Sequence, residues 1–308
     1  MTNTTDWPYI VSAMRNGGYY DRVMHGGPAL DRVKQYLLAF AGEGAAAGAD
    51  PSMAPDYPCF PGLRHRPFHD ASMSEGVAIL ESAFPVIRDE AVALDDGAQL
   101  DYTVASRPSR SWSNPLSWLR RRAPPRAWTV YPFFYMGVNV EAMTQCCPRT
   151  LAIIQSLPNV CLDYPWGDAL LSVQGAQSRL PTHCSVDNLR LRCHLGISIP
   201  DGTGIRVGGE TRGWTEGRCL LFEDAFEHSV WNMSTERRIV LIVDFWHPDL
   251  TPIEVRALTA GFRKSEVRRI FMRKRISMTD SPDRYERHMA AALIEQEQAP
   301  DMREFWPA

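Results

Sequence analysis

The chain has 308 residues, 44% of them hydrophobic and 22% charged, with a formal net charge of −3. That length can bury one large core or two smaller ones, and the composition is ordinary for a soluble globular protein. The slight negative charge lacks the basic footprint of a general nucleic-acid binder, and no apolar run reaches the ~20 residues that span a bilayer. The start, MTNTTDWPYIVSAMRNGG, lacks the basic-then-apolar order of a secretory signal. Cytoplasmic residence is therefore the default expectation.

Three zones are expected in chain order. Residues 1–54 form an N-terminal helical extension: Val33, Tyr36, Leu37 and Phe40 recur at helical spacing, and the Gly/Ala run at 42–49 ends that helix. Residues 55–262 are mixed. ASMSEGVAILESAFPVIRDEAVAL predicts a helix with Ser72 or Ser74 as N-cap and Val77, Leu80, Phe84 and Ile87 toward the core. RPSRSWSNPLSWLRRRAPPRAW predicts a long exposed loop. Beyond about Leu170, DALLSVQ, LRLRCHLGISI, GIRVGG, RCLLFED and RRIVLIVDFW predict short strands. Turns such as PDGTG between them point to an antiparallel sandwich or barrel. Residues 263–308 return to helix. There Arg263, Lys264, Arg268, Arg269, Arg273, Lys274 and Arg275 flank Val267, Ile270 and Phe271, as in a solvated helix packing through one face. Docking of an acidic leader or carrier is the other reading, and the helical ends are where an oligomer would form.

Seven cysteines, Cys59, Cys146, Cys147, Cys161, Cys184, Cys193 and Cys219, form no CxxC pair and give neither a disulfide framework nor a zinc knuckle. Cys193 and Cys219 lie in apolar runs and read as buried thiols. Cys184 adjoins a candidate metal ligand, and its thiolate would favour zinc over iron.

That candidate ligand belongs to the most informative constellation. His183 and His228 stand 45 residues apart, with Arg192, His194 and Arg238 between and after them. The two imidazoles could hold one metal, and the cations a small dianion. In LRLRCHLGISI, Leu189, Leu191, Cys193, Leu195, Ile197 and Ile199 alternate onto one face, which is the packed one. The other face presents Arg190, Arg192, His194, Gly196 and Ser198. Two readings stay open there: a solvated outer face, or a polar cavity inside a barrel that receives anions, since charges buried without partners cost several kcal/mol each. In the last strand Arg238, Val240, Ile242, Asp244 and Trp246 share a face. The planar fork of arginine suits a carboxylate, and a register slip of one would turn Arg237 inward instead. His247, at the strand exit, is expected to cap local hydrogen bonds. His65 and His69, in FPGLRHRPFHD, are candidates for lining a substrate entrance, and His25 and His288 read as surface residues.

These residues carry a resemblance. The His183 opening, RLRCHLGISIP, ETRGWTEGRCLLFEDAFEHSVW and RRIVLIVDFWHPDLTP, with FPGLRHRPFHD and FPVIRDEAVAL upstream, resemble the aspartyl/asparaginyl β-hydroxylase family of Fe(II)- and 2-oxoglutarate-dependent oxygenases. It covers roughly 60–262, with 95–165 matching poorly. The resemblance implies an α+β chain with a double-stranded β-helix (jelly-roll, cupin-like) core. It implies iron on His183 and His228, Arg192 and His194 at the C1-carboxylate end of 2-oxoglutarate, and Arg238 with Ser172 at the distal carboxylate. Arg190 matches a position directed toward the substrate's carboxylate, while another substrate-directed lysine of the family is replaced by Leu170.

Most oxygenases of the wider superfamily add an acid two residues after the first histidine. Here that position is Ser185, a vacancy shared with the animal peptide-hydroxylating branch. Asp187 is an alternative ligand, and water or a halide are the candidates for filling the gap. The expected activity is O2-dependent hydroxylation of an unactivated C–H, at the β-carbon of an Asp/Asn-like residue in a peptide or amino-acid derivative. Succinate and carbon dioxide would be released. The competing readings are a halogenating or catalytically silent barrel that binds an anionic peptide or metabolite, and a zinc protein using Cys184.

Overall fold

A computed structural model describes residues 7–16, 18–44, 50–97, 128–135, 137–263, 267 and 270. The Pro/Ser/Arg-rich loop expected at 107–128 lies almost wholly outside the described residues, as does nearly all of the basic C-terminal tail.

Alternation in LRLRCHLGISI builds β6 (Arg190–Ser198). It pairs antiparallel with β11 (Arg238–Trp246) on one side and β9 (Cys219–Phe222) on the other. Completing this sheet are β4 (Ala169–Gln174), β2 (Trp128–Tyr135), β3 (Val138–Asn139) and β1 (Phe68–His69), in the order β1-β9-β6-β11-β4-β2-β3. A second sheet contains β5 (Ser178–His183), β10 (His228–Asn232), β7 (Thr203–Val207) and β8 (Glu210–Arg212), in the order β5-β10-β7-β8. From β4 to β11 the chain passes back and forth between the two sheets. This is a jelly roll, the double-stranded β-helix, and with its flanking helices the class is α+β.

Strand alternation sorts the side chains into layers. Leu191, Cys193, Leu195 and Ile197 of β6 join an outer cluster with Leu171, Leu241 and Val243. Covering it are α4 (Glu75–Ser82), α5 (Phe84–Gly97), α6 (Glu141–Cys146) and α7 (Pro148–Ser156). Between the sheets, Val130, Leu170, Ile205, Val207, Phe222, Val230, Val240 and Ile242 form the inner cluster. Register on the inner face is set by the pairs Val240–Gly196, Ile242–His194, Asp244–Arg192 and Trp246–Arg190. The inner-face arginines of β6 are thus turned into the barrel, and the solvated-face reading is excluded. Arg238 is the buried residue at the start of β11 and Arg237 the exposed one, so the slipped register does not occur.

The helix expected over 71–94 is two helices. Ser74 caps α4 by accepting from Val77 N, and the chain breaks at Ala83 before α5 resumes at Phe84. Pro85 supplies the reason, since it has no N–H to continue the i→i−4 ladder. Val77, Leu80 and Ile87 are buried as expected, and Phe84 packs partly buried beside them. In the N-terminal zone, α3 (Asp31–Ala41) buries Val33, Tyr36, Leu37 and Phe40, and ends on Gly42 at φ 71°. It shares one aromatic cluster with α1 (Trp7–Asn16), α2 (Tyr19–Met24) and α8 (Pro252–Phe262), into which Tyr164, Trp166 and Trp246 also reach. Arg32 Nε donates to Glu254 Oε1 over 2.7 Å, tying α3 to α8.

Between β8 and β9, residues 214–218 lie against β6 at Gly196. Gly196 N donates to Arg218 O and Gly217 N donates to Gly196 O, over 3.1 and 2.9 Å. A Cβ at position 196 would stand 2.5 Å from the Thr215 carbonyl oxygen. Only glycine lets this segment close, and closure carries Trp214 over the inner face.

Candidate active site

His183 ends β5 and His228 begins β10, and the two residues face each other in register. Their ring centroids are 4.0 Å apart. Each Nδ1 sits within hydrogen-bond distance of a backbone carbonyl, Pro181 O at 2.8 Å for His183 and Phe226 O at 2.9 Å for His228. A carbonyl can only accept, so Nδ1 carries the proton and Nε2 keeps its lone pair, the form in which imidazole binds a metal. Burial pushes both imidazoles below their usual pKa, and His183 adds to the depression at His228.

Phe222 connects this pair to a second group, with ring centroids 5.9 Å from His228 and 4.9 Å from His194. His194 is stacked on Trp214 at 5.9 Å, and the Arg238 guanidinium carbon lies 4.7 Å from the Trp214 ring centroid. All three residues are buried, yet both nitrogens of His194, Trp214 Nε1, and Arg238 Nε and Nη1 have no hydrogen-bond partner. Native interiors leave few such groups, and an unpaired buried cation is costlier still. Burial alone lowers the Arg238 guanidinium to about 9, so it remains charged at neutral pH. Ser172 is buried on the neighbouring strand, opposite Val240, and its Oγ accepts from Trp128 Nε1 at 2.9 Å, leaving its own hydroxyl hydrogen to donate. These groups form a chamber of donors suited to an anion.

Arg190 and Arg192 behave differently. Arg192 grips Asp244 with a two-pronged contact, Nε–Oδ1 2.9 Å and Nη2–Oδ2 2.8 Å, and adds Asp224 at 3.2 Å and Asp168 at 3.4 Å. Its side chain is 19% exposed, so one side faces open space. Arg190 is 3% exposed and wholly engaged: Nη1 lies 3.0 Å from both Asp224 oxygens, Nε donates to Trp166 O at 2.8 Å, and Nη2 donates to Ser185 Oγ. Against the expectation of a cation aimed at substrate, Arg190 spends its donors inside the protein. Burial works against the Asp244 carboxylate, but Arg192 and Arg190 outweigh it and hold it below its usual range.

Two residues after His183 stands Ser185, with no carboxylate at that position. Ser185 N donates to Asp224 O at 2.6 Å, and its hydroxyl accepts from Arg190. Asp187 does not fill the gap, because its carboxylate accepts from Tyr164 Oη at 2.8 Å and Leu189 N at 3.1 Å. Burial raises the Cys184 thiol to about 11, and Cys184 joins no cluster of candidate metal ligands among the described residues. Among the described residues no third His, Cys, Asp or Glu completes a cluster with His183 and His228.

Sequence reasoning located Arg238, His194 and Ser172 but missed Trp214, Trp128 and the carboxylates Asp168 and Asp224. Alternation puts Asp244 on the face of β11 that carries Arg238, but its pairing with Arg192 leaves no mark in the local pattern. Of the loop histidines, His65 and His69 turn to one carboxylate. Both hydrogen-bond Glu223, at 2.9 and 2.7 Å. His247 Nδ1 accepts from Asp249 N at 3.1 Å, the local cap expected of it.

Two facing imidazoles and a buried arginine stacked on Trp214 lie inside a double-stranded β-helix. The aspartyl/asparaginyl beta-hydroxylase family model matches residues 81–248. Aspartate beta-hydroxylase domain-containing protein 1 of Homo sapiens is 34% identical over 239 residues, 76% of this chain and 58% of that protein. Aspartate beta-hydroxylase domain-containing protein 2 of Mus musculus is 36% identical over 149 residues, 47% of this chain and 43% of its own. Human aspartyl/asparaginyl beta-hydroxylase is 30% identical over 203 residues, 65% of this chain and 25% of that protein. The chain belongs to the aspartyl/asparaginyl β-hydroxylase family, and its matches span from 25% to 58% of the length of these three relatives. Among solved structures, a 2OG-Fe(II) oxygenase family oxidoreductase from Burkholderia pseudomallei aligns with TM-score 0.31 and 11% identity, over 40% of this chain and 70% of that chain. Among the described residues, no helix is long and apolar enough to cross a membrane.

Proposed function

We propose that this chain is an Fe(II)- and 2-oxoglutarate-dependent dioxygenase that hydroxylates an unactivated C–H bond. Its preferred target is the β-carbon of an Asp/Asn-like residue in a peptide or amino-acid derivative. The observation that carries this reading is the chamber of unpartnered donors around Trp214, next to two imidazoles whose Nε2 atoms are free. His183 and His228 would hold iron, and Arg238 with Ser172 would hold the distal carboxylate of the cosubstrate. His194 would serve the 2-oxoacid end, and so would Arg192 once it gives up one carboxylate partner. Iron, when bound, supplies oxygen activation coupled to decarboxylation of 2-oxoglutarate. The protein fixes the two imidazole tautomers through backbone carbonyls, neutralises the cosubstrate and keeps bulk water from the inner face. With Ser185 tied to Asp224 and Arg190, water is the group expected at the position an acid would take.

Anaerobic titration tests this directly. Adding 2-oxoglutarate to the Fe(II)-loaded protein should produce a charge-transfer absorption band, and air with substrate should yield succinate and a product heavier by one oxygen. A barrel that only binds anions would show no band and no succinate across peptide and amino-acid panels.

A further inference from the structure

The outer side of the same sheet carries a second cluster. Phe68 and Phe222 are paired in β1 and β9 and belong to the inner cluster, whereas Leu221, opposite His69, belongs to the outer one. His69, Glu223 and His247 converge there, with one ligand atom of each within 4.8 Å of the others. His69 Nε2 is 2.7 Å from Glu223 Oε1, and His247 Nε2 is 3.8 Å from the same oxygen. Glu223 is fully buried, and the His247 side chain is 1% exposed with Nε2 lacking any hydrogen-bond partner. We propose that His69, Glu223 and His247 form a divalent metal site of the zinc class, separate from the His183–His228 pair and lying on the other side of the sheet.

The donor set suits such an ion, because two imidazoles and one carboxylate leave a fourth position for water. Supporting groups are already in place. His65 Nδ1 lies 2.9 Å from Glu223 Oε2, and Asn188 Nδ2 approaches His65 Nε2 at 3.5 Å, an arrangement that makes Nδ1 the donor and orients the carboxylate. Arg66 N donates to Glu223 Oε1 at 2.9 Å. Of the three, His69 lines a surface cleft of ≈ 360 Å³ with Phe68, Asp70, Ala71 and Arg212.

Proton accounting sets one requirement. Asp249 N donates to His247 Nδ1, so without metal the ring proton sits on Nε2, aimed at Glu223. Metal binding at Nε2 would move that proton to Nδ1, so Asp249 N would have to give up its hydrogen bond there. The Asp249 carboxylate, 4.0 Å away and gripped by Arg64, would have to close on the ring. At His69 the proton likewise passes from Nε2 to Nδ1. With both imidazoles neutral and Glu223 held as a carboxylate, these shifts release no proton to solvent. A metal here would pin the end of β1 at His69 to the start of the 223–228 segment and the exit of β11. Asp224, the anchor of Arg190, is the next residue after Glu223.

The test is zinc stoichiometry in the full chain, by elemental analysis after dialysis and by competition with a chromophoric chelator. The variant H183A/H228A should retain one zinc per chain. Adding His69→Asn or His247→Asn to it should weaken zinc binding by ~100-fold or more. Zinc should raise the melting temperature of H183A/H228A but not of its His69→Asn derivative. His69 is partly exposed, so the His69→Asn change leaves the core intact. Absence of stoichiometric zinc in H183A/H228A, or full retention after His69→Asn, overturns the proposal. Loss of zinc from the wild type on His69→Asn alone, with none lost on H183A/H228A, would sustain this site while counting against the iron pair.

Discussion

Arg238 holds its guanidinium carbon 4.7 Å from the centroid of the Trp214 ring while two of its nitrogens meet no acceptor. A folded protein tolerates such a buried cation when something else benefits from it. Arg238→Met should therefore stabilise the ligand-free protein, by on the order of 1–3 kcal/mol, the usual cost of an unsatisfied buried polar group. The same change should raise the 2-oxoglutarate concentration needed for half-maximal turnover by about 10- to 100-fold, as expected for a lost charge-assisted contact. Thermal melts and cosubstrate titrations read the two effects separately. A variant that loses both stability and cosubstrate affinity would contradict this account.

Arg190 and Asp224 should behave in the opposite way. Breaking this buried pair with Arg190→Met or Asp224→Asn should cost about 3–5 kcal/mol, because the surviving partner is left buried and uncompensated. Urea unfolding measures it, and the double variant should lose less than the sum of the singles. Were Arg190 reserved for substrate, Arg190→Met would leave the unfolding midpoint in place and raise KM alone.

A pH dependence follows from three imidazoles. Burial depresses His183, His194 and His228 below their ordinary pKa in the folded chain. In the unfolded chain they titrate near 6.5. Just below that pH the unfolded state binds more protons than the folded one, so stability falls as pH drops and is fully present above it. Metal-free protein should melt at its highest temperature above about pH 7, near the top of the imidazole range, and progressively lower toward pH 5. Iron affinity should fall over the same range, because a protonated imidazole is no ligand. A flat melting profile between pH 7.5 and about 5.5 would remove this explanation.

Gly167 sits in the turn that delivers Asp168 to Arg192, and a Cβ there would lie 1.7 Å from the Cys161 carbonyl oxygen. Backbone cannot yield as a flexible side chain does. Gly167→Ala should prevent soluble expression or lower stability by about 3 kcal/mol or more, the range reserved for severe strain and overpacking. Gly27→Ala is the control: position 27 is extended at φ −69° with nothing near its Cβ, so stability should hold or rise by about 0.4–1 kcal/mol. Expression yield and melting temperature compare the pair.

Alternation made the barrel legible in the sequence. Leu191, Cys193, Leu195 and Ile197 reached one layer, and Arg190 and His194 the other, because a pleated strand has a strict period of two. Residues whose roles come from contacts between distant segments gave no such signal. Trp214 matters because Gly196 admits its turn, and Asp224 matters because it meets two arginines from β6. Neither relation leaves a trace in local pattern. Arg190 shows the converse: its inward direction was readable, but its saturation by Asp224, Trp166 and Ser185 was not. Glu223, with three imidazoles around it, escaped because its partners come from segments 154 and 158 residues earlier and from the end of β11.

Gly196 also bears on how this protein can be changed. The segment 214–218 and the strand beneath it meet backbone against backbone at Gly196, a contact that no side-chain adjustment can relieve. Anyone widening the chamber for a bulkier acid by exchanging that segment must treat strand and cover as one indivisible design unit. In the proposed reaction, the room for an anionic cosubstrate would be set in part from Gly196, through the cover it admits.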